Sequence, residues 1–229
     1  MAELRDHFDS HLRLARAAAA SPAPCHADAA LLVFDKPTGL LTVPGLGPDK
    51  ADCLLTRVRR RWPEVLLIHR LDRDTSGLVL FARTPEAQRA MGRRFETRRI
   101  AKRYIALVEG SPDADEGGVD LPLRKDMDRR CRHLVDRERG KPAVTRWRVL
   151  ERVGPRTRLE LLPETGRSHQ LRVHCAAMGW PIVGDPLYGH EPDEAAIPRR
   201  QRLMLHATEL AFEHPGTGEG IRLTSDPPF

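Results

Sequence analysis

The 229-residue sequence predicts an α+β fold with a mixed or antiparallel sheet. Three observations predict it. Strand-like apolar runs recur along the chain, at 31–34, 77–82, 104–108, 143–150, 157–162, 205–212 and 220–224. Helical patterns are few and lie between those runs. Loops of Gly, Pro and Asp separate the pieces, with no repeat and no low-complexity segment. The length suits one large domain or two small ones, and 40% apolar residues can build a proper core.

The elements follow in order. Leu4, Phe8 and Leu12 recur every four residues and predict a short amphipathic helix ending in the alanines at 17–20. Glu3, Arg5, Asp6, Asp9 and Arg13 interrupt any apolar signal-peptide core, and the acids argue against a transit peptide. Residues 21–28 read as a linker, so 1–28 is an N-terminal extension and 29–229 one domain. The run 31–34 stops at Asp35-Lys36-Pro37-Thr38-Gly39, a strand entering a turn, and Thr42-Val43-Pro44-Gly45 is a second turn. Residues 51–61 are helical in pattern, with Leu54, Leu55 and Val58 on one face. The apolar residues 66–68 lead into a polar loop, 69–77, and then a strand. Thr84-Pro85-Glu86 starts a helix with a Thr cap, Pro at the first position and an acid at the positive end. Its buried stripe is Ala87, Met91 and Phe95. Residues 168–178 read as the last helix.

The chain carries 38 basic and 32 acidic residues, a net charge of +6, and its pI is about 9.5. Only five of the basic residues are lysine. No apolar run approaches the ~18 residues of a membrane span. The composition also excludes a disulfide scaffold and a disordered tail. The cysteines, 25, 53, 131 and 175, form no C-x-x-C pair, which predicts free thiols in a reducing cytoplasm. Between Arg57 and Arg103 fourteen basic residues face five acids, a local excess larger than that of the whole chain. Such a run is either a solvated face or a phosphate-binding surface.

Two clusters carry chemistry. His69-Arg70-Leu71-Asp72-Arg73-Asp74-Thr75-Ser76-Gly77 is a polar loop held between two apolar runs. A carboxylate flanked by Arg70 and Arg73 stays ionised and can act as nucleophile or general base. Read alone, the loop is more simply an Asx or ST turn, with Asp74 and Thr75 capping local amides. The second cluster is Thr165-Gly166-Arg167-Ser168-His169-Gln170-Leu171-Arg172-Val173-His174. A helix starting near Ser168 would aim its first amides at the loop holding Arg167, an anion-friendly corner. The His169/His174 spacing is not that of a helical zinc pair, so no metal is expected. Arg167 could pair with a buried carboxylate or bind phosphate.

His69-Arg70-Leu71-Asp72 followed by Thr75-Ser76-Gly77 resembles the active-site signature of the RluA family of pseudouridine synthases. Further blocks resemble the family in the same order: Lys36-Pro37-Thr38-Gly39-Leu40 with Val43-Pro44-Gly45, Lys102-Arg103-Tyr104, and Gly140-Lys141-Pro142-Ala143 with Thr145. They continue through the 165–174 cluster, Pro181-Ile182-Val183-Gly184-Asp185-Pro186-Leu187-Tyr188-Gly189, and Leu205-His206-Ala207. The resemblance runs from about residue 29 to the last residues.

The resemblance implies a pseudouridine synthase fold, a central mixed, largely antiparallel sheet with flanking helices and a basic active-site cleft. It implies an isomerase that converts specific uridines in RNA to pseudouridine, with no cofactor and no metal. Asp72 would be the catalytic aspartate and would attack the flipped-out uridine. Tyr104 would lie against the base and take its C5 proton. Arg167 would pair with Asp72. Leu171 would pack beneath the uracil, and Arg70 would enter the RNA where the base departs. His69, Arg73 and Thr75 are further substrate-binding candidates from the same loop. The short chain resembles a branch without the S4 RNA-binding domain, a dual-specificity branch acting on a 23S rRNA uridine and a tRNA anticodon stem-loop uridine. The expected partner is therefore RNA, 23S rRNA and/or tRNA, with no membrane, for a cytoplasmic monomer. The alternatives are a short synthase acting on another tRNA uridine, and a non-catalytic RNA-binding or ribosome-assembly protein on the same fold.

Overall fold

The computed structural model describes residues 22–129, 131–189 and 202–229. The first half of the chain supplies strands β1 (His26–Ala27), β2 (Leu31–Lys36), β3 (Leu66–Leu67) and β4 (Ser76–Ala82). It also supplies helices α1 (Leu54–Arg59) and α2 (Pro85–Glu96). Then come β5 (Ala101–Glu109), β6 (Glu116–Asp120), β7 (Leu123–Lys125), β8 (His133–Val135), β9 (Val144–Val153) and β10 (Arg156–Pro163). Helix α3 (Gln170–Ala177) and strands β11 (Leu205–Glu213) and β12 (Gly220–Thr224) complete the described elements. Ten strands form one sheet in the order β1-β2-β4-β11-β5-β10-β9-β6, with β12 on β11 and β3 on β4; β7 and β8 make a separate hairpin. Every pair is antiparallel except β4 with β11. The predicted fold class, mixed and largely antiparallel with flanking helices, is the one observed.

Strand β4 is apolar on both faces because helices cover both. Val79 and Phe81, with Leu32 and Phe34 of β2, pack on Leu54 and Val58 of α1. Leu78, Leu80 and Ala82, with Leu31 and Val33, pack on Ala87 and Met91 of α2. The alternation is the period of two that a strand imposes. Thr84 caps α2, its Oγ1 accepting from Ala87 N at 3.1 Å, with Pro85 opening the helix. The opposite half of the sheet packs Ala106, Val108, Leu159 and Leu161 against Leu171 and Cys175 of α3.

The two halves meet at a short parallel seam, where Ser76 faces His206 and Gly77 faces Ala207. Gly77 has φ +109°, and a Cβ there would stand 2.3 Å from Ala207 O. Only glycine permits that approach. The Asp72 loop runs straight into this seam, so the seam positions the site.

Three sequence expectations change. Residues 21–28 are not all linker, because β1 lies among them and pairs with β2. The helix over 51–61 is the shorter α1, capped when Cys53 Sγ accepts from Thr56 N and Thr56 Oγ1 accepts from Cys53 N. Strands β6, β7 and β8 occupy a stretch where no strand was expected. The helix expected over the first twenty residues lies outside the described residues. Among the described residues, no helix is long and apolar enough to cross a membrane.

Candidate active site

Asp72 sits on the loop between β3 and β4, and three side chains from the preceding segment fix that loop through its backbone. Lys36 is fully buried, and its Nζ donates to Pro37 O (3.0 Å), Leu40 O (2.7 Å) and Arg73 O (3.0 Å). Burial pushes the Lys36 amine down to about 8, although Asp74 and Asp72 pull the other way. Thr38 Oγ1 donates to Asp74 O at 2.6 Å. Thr42 Oγ1 donates to Leu71 O at 2.8 Å and accepts from Leu71 N at 3.2 Å. His69 Nε2 accepts from Leu80 N at 3.0 Å, and its ring stacks 4.8 Å from Phe95. Burial, and then Lys102, pushes His69 down to about 3, so it is a neutral ring protonated at Nδ1. The Asp72 carboxylate accepts no hydrogen bond from the described residues and is 24% exposed. The loop is held rigid while its acid is left free to react.

The facing wall is residues 163–172. Gln170 binds its own loop to β9: Oε1 accepts from Thr165 Oγ1 (2.7 Å) and Arg167 N (3.0 Å), and Nε2 donates to Val144 O (2.9 Å) and Thr145 Oγ1 (3.0 Å). His169 precedes α3 in the left-handed region, φ +56°. One turn separates His169 from Arg172, and both face Asp72 Oδ2. His169 Nε2 is 3.9 Å away and Arg172 Nη1 is 3.8 Å away. Arg172 is buried and also grips Asp185 with two bonds of 2.7 Å; the Asp185 side chain is 0% exposed. Burial opposes charge on Arg172, but Asp185 and then Asp72 raise its pKa above the ordinary value.

The sequence expectation for Arg167 is corrected here. Arg167 is exposed and its Nε donates to Pro142 O at 3.0 Å. The cation beside Asp72 is Arg172. The left-handed turn at His169 places residue 167 outside the helix, whereas the i,i+3 spacing of 169 and 172 stacks those two on one face. Arg73 is likewise turned away. It pairs with Asp74 at 3.0 Å, is exposed, and does not line the cleft.

Tyr188, in the 181–189 block, ties the wall together. Its oxygen accepts from His133 N at 2.8 Å and lies 2.8 Å from His169 Nδ1. With the phenol proton given to Nδ1, the neutral His169 keeps its own proton on Nε2, the nitrogen nearest Asp72. Burial holds His169 below its ordinary pKa, against the pull of Asp72. The Arg172 guanidinium stands 5.1 Å from the Tyr188 ring centre.

Between the walls is a cleft of about 330 Å³. Its polar lining includes Asp72, Thr75 and Arg172, its apolar lining includes Leu171 and Leu205, and Arg70, Lys102 and Arg167 are cations on its border. Tyr104 joins the two halves of the core. Burial, and then the Asp72 charge, raises its phenol well above the ordinary range, so it is a neutral O–H at physiological pH. The basic stretch 57–103 does not all face this cleft. Arg57, Arg83, Arg89, Arg94 and Arg103 pair with Asp52, Glu64, Glu86, Glu213 and Glu160. Of that stretch, Arg70 and Lys102 are the cations lining the cleft. Among the described residues, no group of three His, Cys, Asp or Glu side chains is placed to hold a metal.

A free carboxylate with a buried arginine beside it, in a small half-apolar cleft with cations at the border, suits attack on an uncharged ring carried by a polyanion. Comparison with known proteins decides the family. Residues 30–177 match the RNA pseudouridylate synthase family. The chain belongs to it. The dual-specificity RNA pseudouridine synthase RluA of Pasteurella multocida (strain Pm70) is 45% identical over 205 residues, covering 89% of this chain and 92% of its own. That of Escherichia coli (strain K12) is 42% identical over 200 residues, 87% and 90% of the two chains. The solved structure of human RNA pseudouridylate synthase domain containing 1 superposes with a TM-score of 0.76 at 30% identity, over 92% of this chain and 85% of that one. This protein is thus an RluA-family RNA pseudouridine synthase, an isomerase. The sequence had pointed to Asp72, Tyr104, Arg70, Leu171, His69 and Thr75, and the fold brings all six to this pseudouridine synthase cleft. It had missed Lys36, Arg172, Asp185 and Tyr188 as parts of the site, although each lies inside a quoted block.

Proposed function

We propose that this synthase isomerises a uridine in a tRNA anticodon stem-loop and a uridine of 23S rRNA, with Asp72 as the attacking carboxylate. The observation that carries the assignment is the Asp72 side chain, free of hydrogen bonds and 3.8 Å from buried Arg172. The dual specificity accords with the relatives at 42–45% identity, which are dual-specificity RNA pseudouridine synthases, and the two RNAs are those the sequence resemblance implies. A cytoplasmic setting accords with four free cysteines.

In the reaction the N1–C1′ bond of uridine breaks and a C5–C1′ bond forms. The C5 proton leaves and N1 gains one, so atoms balance without a co-reactant. The target base must leave its stack, at a cost of a few kcal/mol that backbone contacts offset. Asp72 then attacks the flipped-out uridine. Arg172 holds the carboxylate in place and stabilises it as charge moves. Leu171 supplies an apolar bed for the base. Tyr104 lies against the ring as a phenol, so it takes up the C5 proton only as its own proton passes on.

The test is Asp72→Asn, which keeps shape and removes the nucleophile. We expect pseudouridine formation, read by carbodiimide labelling of a stem-loop RNA, to fall by more than about a thousandfold while RNA binding persists. Substantial residual turnover would refute the assignment. Mapping pseudouridine in total RNA from cells with and without the gene identifies the substrates; loss at one tRNA site alone would refute dual specificity.

A further inference from the structure

A second groove continues from the catalytic cleft. It measures about 390 Å³ and shares Lys102 and Pro163 with the cleft. Ile100 and Leu162 form its apolar side, and Arg98 and Arg146 its charged side. Glu164 is there too, but it is committed to Arg146 at 2.6 Å. Lys102 and Arg98 line the same space, and Glu164 pairs with neither of them. The Lys102 amine reaches only Thr165 O, at 3.4 Å, and Arg98 makes no ion pair among the described residues. Burial, and then the neighbouring Arg98 charge, holds the Lys102 amine below its ordinary pKa.

Arg98 has a second peculiarity. It follows α2 with φ +59°, the left-handed position that glycine or asparagine ordinarily takes after a helix. A long side chain held there costs about 1 kcal/mol or more. An arginine kept at such a position, next to a half-buried lysine that repels it, is accounted for when an anion sits between the two.

We propose that this groove holds the nucleotide next to the target uridine, with its backbone phosphodiester between Arg98 and Lys102 and its base or ribose on Ile100, Leu162 and Pro163. This rests on the reading that the target base enters the cleft at Asp72. The groove adjoins that cleft through Lys102 and Pro163, which gives the strand that delivers the base a path along it. It gives the enzyme a hold on the strand that is independent of the reacting ring.

The experiment uses the full-length enzyme and a stem-loop RNA with one target uridine. Arg98→Asn removes the charge and suits the left-handed backbone. We expect it to lower the slope of log affinity against log salt by about one. We expect KM to rise about tenfold, the fold-change of one charge-assisted contact, with kcat within about twofold. Lys102→Met, which keeps the buried stem, should move both readouts in the same direction. Neutral methylphosphonate placed at each linkage flanking the target uridine in turn should weaken binding of the wild type at one of them. It should weaken Arg98→Asn by less than it weakens the wild type, because Lys102 alone then faces that phosphate. Arg89→Gln, from the Glu86 pair on α2 and outside both spaces, is the charge-matched control and should leave the slope unchanged. An unchanged slope for Arg98→Asn, additive losses with methylphosphonate, or an equal drop for Arg89→Gln would each overturn the proposal. Those outcomes leave the Asp72 assignment standing, whereas an active Asp72→Asn enzyme would remove that assignment and not the groove.

Discussion

The two walls of the cleft are built in opposite ways. The Asp72 wall is anchored by its backbone: Lys36, Thr38 and Thr42 all bind main-chain atoms of residues 71–74. The Arg172 wall is anchored by side chains that bind one another, Arg172 to Asp185, Gln170 to Thr165 and Thr145, and His169 to Tyr188. The first arrangement fixes the backbone and leaves the Asp72 carboxylate itself without a hydrogen bond from the described residues. The second leaves no polar group of Arg172 to spare except the one aimed at Asp72. A nucleophile needs a rigid base and a free tip, and a charge that steadies it needs a fixed position even in a dry interior.

If that contrast is right, the second wall is the one that fails hardest when cut. Arg172→Met removes the partner of an Asp185 side chain that has no exposure. We expect a loss of about 3–5 kcal/mol in urea unfolding, because a buried carboxylate is left uncompensated. Arg167→Met, the exposed neighbour in the same block, should change stability by no more than about 0.5 kcal/mol. Equal effects from the two arginines would mean that Arg172 is no more built into the wall than Arg167.

The first wall should fail more gently and show it in turnover. Thr42→Val is close in shape but leaves Leu71 N and O without their partner in a buried turn. About 1–3 kcal/mol of stability should go, and kcat should fall with it because Leu71 adjoins Asp72. A stable variant with full kcat would mean that the backbone anchor does not position the acid.

Acid offers a second probe of the Asp72 wall. Folded His69 stays neutral down to about pH 3, while an unfolded histidine binds a proton below about pH 6.5. Between those values the unfolded chain carries more protons, so stability falls as pH falls and the contribution is constant above them. The difference between wild type and His69→Gln should therefore have a slope of at most about 1.4 kcal/mol per pH unit, confined to that window. Parallel pH curves for the two proteins would show that His69 does not stay neutral.

The same contrast explains what could be read in advance. Strands β2 and β4 announce themselves because both of their faces are packed, which leaves unbroken apolar runs at 31–34 and 78–82. Strands β6, β7 and β8 give no such signal: of β6 only Val119 is buried, and of β7 only Leu123. Their pairing comes from tertiary contacts, not from local pattern. At the site, Asp72 and Tyr104 were legible because the blocks that hold them resemble the family's signatures; read alone, the Asp72 loop is more simply a turn. Arg172 and Arg167 look alike in a sequence, and a left-handed turn at His169 decides between them. The signal that was available was the i,i+3 spacing from His169 to Arg172, together with a lone acid in the block Gly184-Asp185.

The smallest expected effect is also the most specific. Tyr188→Phe keeps the ring beside Arg172 and deletes one oxygen. His133 N loses its acceptor, at a cost of about 1 kcal/mol. More telling is His169, whose Nδ1 then has no donor and whose proton is free to sit on either nitrogen. Nitrogen-15 NMR of labelled histidine should show a single Nε2–H form in the wild type and a mixture in Tyr188→Phe. Turnover should drop a fewfold, about threefold to tenfold, because in part of the population Asp72 no longer faces an N–H. A packing role alone would lower stability and leave the tautomer untouched. If the tautomer shifts while kcat does not, Tyr188 sets the proton on His169 but the proton on His169 does not matter to Asp72, and the second wall then acts on the reaction through Arg172 alone.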